Sequence, residues 1–118
     1  MKDRLRQLLL DEARAGNLVT YREVAQRLDL RPPHTIQQVT AALERLMAED
    51  AAAGRPLLAA LCVSRAQEGL PGRGFFIVAR ELGLFSGDPG GPEATAFHAA
   101  ERRRASDHYG GLGGGASP

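Results

Sequence analysis

A single cysteine, Cys62, stands in the 118 residues, so no internal disulfide can form and a reducing, cytoplasmic setting is expected. No apolar stretch approaches the roughly 20 residues that a bilayer-spanning helix needs. The opening MKDRLRQLLLDEARAG scatters charges among its leucines and does not have the make-up of a signal peptide. A soluble protein without membrane partners is therefore expected. Charge of one sign is missing too: 15 basic and 14 acidic side chains leave a formal net charge of +1. Residues 1–85 hold 12 basic and 10 acidic side chains, and residues 86–118 hold 3 and 4. The charge balance alone thus gives none of the signature of a strongly basic nucleic-acid-binding domain. Walker-type loops, nucleophile–base pairs and paired carboxylates at catalytic spacing are absent. No catalytic residue is expected; an enzyme is the third-ranked reading, with Cys62 as its only candidate nucleophile. His98 and His108 lie ten residues apart, near Glu101 and Asp107. That spacing fits no compact metal motif and suits a surface helix, so neither metal nor cofactor is expected.

What is present is helical periodicity followed by a change of pattern. Leu5, Leu8, Leu9 and Ala13 fall on one helical face, and Gly16-Asn17 ends the run. Leu18-Val19 is long enough for one short strand. Thr20 caps a second helix, with Glu23 completing a capping box and Val24, Ala25 and Leu28 facing inward. The turn DLRPPH breaks it. A third helix is predicted from about His34 to Ala53, with Ile36, Val39, Leu43, Leu46 and Met47 as its core stripe. Then PLLAALCVS reads as a buried strand, AQEGLPGRG as a turn and FFIVAREL as a returning strand. This order predicts an α+β winged helix-turn-helix over residues 1–85, three helices plus a two-stranded β-hairpin wing. SGDPGGP, residues 86–91 with Pro92, reads as a linker into an additional C-terminal helix over 92–109. Phe97, Ala100 and Ala105 give that helix a thin apolar stripe, and residues 110–118 read as a flexible Gly-rich tail.

With that architecture the third helix is the candidate recognition helix. His34, Thr35, Gln37 and Gln38 face outward in its first turns; glutamine pairs bidentately with adenine, and a helix N-terminus suits phosphate. Arg22, Arg27 and Arg31 on or just after the preceding helix, with Arg65 and Arg73 flanking the wing, would straddle a duplex backbone. Glu44, Glu49 and Asp50 farther along would repel it. Arg102-Arg103-Arg104 forms a basic run around the last helix, suited to solvent, phosphates or an acidic partner. Cys62, among apolar neighbours, is expected to be buried and inert.

The stretches TYREVAQRL and TIQQVTAAL resemble the DNA-binding domain of alkylguanine DNA alkyltransferases and their alkyltransferase-like relatives. Those proteins carry a Thr-Tyr-Gly-Glu-Val-Ala helix start, matched here by Thr20, Tyr21, Glu23, Val24 and Ala25. Their Arg-Ala-Val-Gly-x-Ala-Leu recognition helix is matched by Val39, Ala42 and Leu43. Cys62 precedes a glycine turn ending at Gly74-Phe75, as in the family. In place of the family's Pro-Cys-His-Arg active site stands Leu61-Cys62-Val63-Ser64, Gln37 replaces the arginine that helps extrude a damaged base, and the Asn-Pro hinge is absent. The resemblance, over about half the chain, implies the fold and DNA contact without alkyl transfer. A second block, VSRAQEGLPGRGFF with FHAAERRR, resembles one in small bacterial proteins, some linked to nucleases or restriction. The expectation is a non-catalytic protein that binds double-stranded DNA, regulatory or accessory to a nuclease or repair system. The alternative is a protein-interaction adaptor on the same scaffold, and a homodimer is compatible with either.

Overall fold

Local capping chemistry sets the helix boundaries. A computed structural model describes residues 2–65 and 69–110; residues 66–68 of the expected turn and 111–118 of the expected tail lie outside the described residues. Helix α1 spans Lys2–Ala15 and buries Leu5, Leu8, Leu9 and Ala13. Strand β1 is Val19–Thr20, and α2 runs Tyr21–Arg27 behind the expected capping box. The Thr20 side chain accepts from the Glu23 N–H at 3.1 Å, and the Thr20 N–H donates to the Glu23 carboxylate at 2.8 Å. Asp29 takes a left-handed conformation (φ 55°) at the end of α2. There its own N–H reaches the Gln26 carbonyl at 3.1 Å and the Leu30 N–H reaches Ala25 at 3.0 Å. Helix α3 spans Thr35–Ala52 and turns Val39, Ala42, Leu43, Leu46 and Met47 into the core. Ile36, expected in that stripe, is 44% exposed. It sits in the first turn, beyond the reach of the elements that cover the helix farther along.

The hairpin wing is corrected. PLLAALCVS is a short 3-10 helix, Leu58–Leu61, leading into strand β2, Cys62–Val63. β2 pairs with β1, in parallel, Val19 opposite Cys62 and Thr20 opposite Val63. The two strands are joined by a crossover through α2 and α3, not by a turn. FFIVAREL is helical: α4 spans Arg73–Glu81 and buries Phe75, Phe76 and Ala79. One isolated antiparallel bridge, Ser64 with Leu70, is all that the described residues retain of the expected ribbon. The 57–61 segment is apolar because it is enclosed. Leu57 through Leu61 are buried without a break, and total burial erases the polar positions by which strand and helix are told apart. The architecture is mixed α+β, five α-helices and one two-stranded parallel sheet among the described residues. No described helix is long and apolar enough to cross a membrane.

Helix α5, Pro92–Ala105, continues into a π-helical turn, Ser106–Gly110. Its buried face is Ala94, His98, Glu101, Ala105 and Tyr109. Ala100, expected in its apolar stripe, is exposed; His98 and Glu101, expected at the surface, are buried. The reason is polar: the 3-10 segment presents backbone groups that require partners. The His98 Nε2–H donates to the Ala60 carbonyl at 2.9 Å, and the Tyr109 hydroxyl donates to the Pro56 carbonyl at 2.7 Å. The Leu57 N–H donates to Glu101 at 2.8 Å. From the opposite side buried Asp50 of α3 accepts the Leu58 N–H at 3.2 Å and the Arg6 guanidinium at 2.9 Å. Arg55 adds a third bond to Asp50 at 3.2 Å. The segment that leads into β2 is thereby held between α3 and α5.

Candidate nucleic-acid interface

Three elements meet where the parallel sheet ends: the start of α2, the first turn of α3 and the chain leaving β2. Between them lies a groove of about 550 Å³ lined by Thr20, Tyr21, Arg22, Gln26, Ile36 and Arg65, among others. Arg22 and Arg65 are exposed, one contributed by α2 and the other by the segment after Ser64. Glu23 also lines the groove; its carboxylate is held by the capping box and keeps its charge, so the groove carries one positive charge in excess. The groove thus presents two guanidiniums beside an exposed aliphatic side chain. It suits an anionic ligand with a flat apolar surface.

Tyr21 is the hinge of this arrangement. Its phenol is pushed up to about 12 by burial and stays neutral at ordinary pH. Its oxygen accepts the Gly72 N–H at 2.8 Å, tying the start of α4 to the start of α2. Cys62 lies on the core side, fully buried, and its thiol is pushed up by burial and then by the Glu23 carboxylate. A thiol so placed has neither the access nor the thiolate character of a nucleophile.

The remaining predicted residues divide. Arg31, His34 and Gln37 are exposed in the α2–α3 turn and the first turn of α3, and Thr35 is half-buried as the first residue of that helix. Gln38 is occupied: its amide nitrogen donates to the Arg31 and Pro33 carbonyls, both at 3.1 Å. It shapes the turn and has no free amide hydrogens to offer a base in that position. Arg27 pairs with Glu12 at 2.6 Å on the α1 side. Arg73 opens α4 and lines a separate cleft with Pro71, Phe76, Pro89 and Gly91, so it does not join Arg22 and Arg65. Sequence reasoning missed Tyr21 as a pin and Ile36 as a surface residue. The Thr-Tyr pair at the capping box was the available signal for the first. Nothing in the spacing signalled the second, since Ile36 keeps helical register with Val39.

No family model, no curated protein and no solved structure matches the chain.

Proposed function

We propose that this chain is a non-catalytic nucleic-acid-binding protein that docks double-stranded DNA on its helix-turn-helix face, in a regulatory or accessory role beside a nuclease or repair system. The observation that carries the reading is the pairing of Arg22 and Arg65 across one groove whose wall is Ile36 at the start of α3. Arg22 and Arg65 supply phosphate contacts, exposed Arg31 and His34 lie in the turn that leads into the same helix, and Gln37 is the side chain left to meet base edges. The likeness of TYREVAQRL and TIQQVTAAL to the alkyltransferase DNA-binding domain supports the same face. The buried Cys62 and the Val63 that follows it support binding without chemistry.

Fluorescence anisotropy with a labelled mixed-sequence duplex of about 20 base pairs tests this. At about 50 mM salt the chain should bind with a dissociation constant on the order of 1–100 µM and weaken steeply as salt rises. Arg22→Ala with Arg65→Ala should lower the log–log salt slope by about 2, at roughly 0.9 per phosphate contact. Unchanged anisotropy at millimolar protein and low salt overturns the reading.

A further inference from the structure

The basic run of α5 is not a uniform solvated stripe. Arg104 is held by Glu101 at 2.6 Å, whereas Arg102 and Arg103 make no ion pair among the described residues. Both line one cleft of about 380 Å³ together with Asn17, Ser106 and Asp107. Asp107 balances one of the two guanidiniums and leaves the cleft with one positive charge in excess. Its floor includes Leu18 and Leu61, the residues that immediately precede β1 and β2. The groove bearing Arg22 and Arg65 is lined by Thr20 and Ser64, at the other end of the same strands. The sheet is parallel, so both strands run from the Arg102–Arg103 cleft toward the Arg22–Arg65 groove. Leu18 to Thr20 is about 7 Å of extended chain, and a duplex strand rises about 3.4 Å per nucleotide. Leu18, which lines the first cleft, and Thr20, which lines the second, are therefore set about two nucleotide steps apart.

We propose that Arg102 and Arg103, with Asn17, form a second phosphodiester-binding cleft. A nucleic-acid backbone engaged at Arg22 and Arg65 continues past the sheet onto the C-terminal helix. The proposal rests on the reading of the helix-turn-helix face given above, and it adds α5 to the binding surface. Paired guanidinium forks suit phosphate oxygens, and two cationic clefts at opposite ends of one short sheet favour a polyanionic backbone over an isolated acidic side chain.

The test uses the full chain and the same 20-base-pair duplex, with Arg102→Ala/Arg103→Ala, Arg22→Ala/Arg65→Ala and the combined variant. The α5 pair should weaken binding about tenfold at low salt and reduce the log–log salt slope by about 2, additively with the other pair. Arg102→Lys/Arg103→Lys, which keeps both charges, should keep the slope. Circular dichroism should show all variants folded, since both arginines are exposed. An α5 variant that keeps the parent's affinity and slope overturns this proposal and leaves the helix-turn-helix reading standing. A parent chain that binds no duplex removes both. An α5 variant that loses binding to polyglutamate but retains duplex affinity assigns the arginines to an acidic polypeptide and likewise overturns the proposal.

Discussion

Cys62 shows how strongly surroundings outweigh residue type. A thiol next to a glycine-rich turn invites a catalytic reading, yet this one is fully enclosed, and burial plus the Glu23 carboxylate disfavour its thiolate. A thiol-specific chromogenic reagent should leave the native protein unlabelled and react fully only once denaturant unfolds it. Stoichiometric labelling of the native protein within seconds would show that the site opens. Tyr21 makes the complementary case, a residue that serves through one hydrogen bond. Were its hydroxyl removed, the Gly72 N–H, now bonded to it at 2.8 Å, would lose its protein partner, and the start of α4 would loosen against the groove. Asp50 is the most heavily used single side chain among the described residues, since it joins α1, α3 and the segment entering β2 through Arg6, Arg55 and the Leu58 N–H.

At the level of elements, α4 depends on its stop signal. Gly83 adopts φ +77° at its C-terminal end, where its N–H reaches Arg80 at 3.0 Å and the Leu84 N–H reaches Ala79 at 2.9 Å. Gly83→Ala should cost about 1 kcal/mol, the left-handed penalty less the entropy the glycine loses on folding, measured by urea denaturation. An unchanged midpoint would mean that the helix ends differently. That signal also explains what the sequence made legible. The pattern Ala-Arg-Glu-Leu-Gly at 79–83 ends a helix just as Glu-Ala-Arg-Ala-Gly does at 12–16, and the phenylalanines at 75 and 76 with Ala79 keep helical spacing. A strand was expected there because the aromatic and β-branched run Phe-Phe-Ile-Val outweighs those cues by propensity. Helices α1, α2 and α3 were readable because each has one polar face and a distinct end. The Leu57–Leu61 segment was not, because it has no polar face at all. Of the site, Arg22 and Arg65 were legible as charges, but that they share a groove depends on a parallel crossover that local pattern does not encode.

Across the whole molecule, α5 converts an apolar three-helix core into one with polar stitching. His98, Glu101 and Tyr109 satisfy the Ala60 carbonyl, the Leu57 N–H and the Pro56 carbonyl, and Phe75, Phe85 and Phe97 pack α4, the intervening loop and α5 together. The buried histidine gives this union a pH dependence. Burial lowers the His98 pKa below its ordinary value, so the folded state holds it neutral while the unfolded chain takes up a proton more readily. Stability is therefore fully present above the ordinary histidine range and falls as pH drops through about 6.5, by at most about 1.4 kcal/mol per pH unit for one proton. Urea midpoints measured from pH 8 to pH 5 should show that decline, and His98→Gln, which keeps a donor for Ala60, should flatten it. A parent protein with no slope between pH 7 and 5 would contradict the assignment.

On the proposed function, nucleic acid meets this chain where α2, α3 and the exit of β2 converge. Backbone amide chemical-shift mapping with an unlabelled duplex addresses it most directly. The largest shifts are expected at Tyr21–Gln26, Thr35–Ala41 and Ser64–Arg65, with a second set near Asn17 and Arg102–Arg103. Shifts concentrated instead around Arg73 and Pro89–Gly91, or no shifts at saturating duplex, would contradict it.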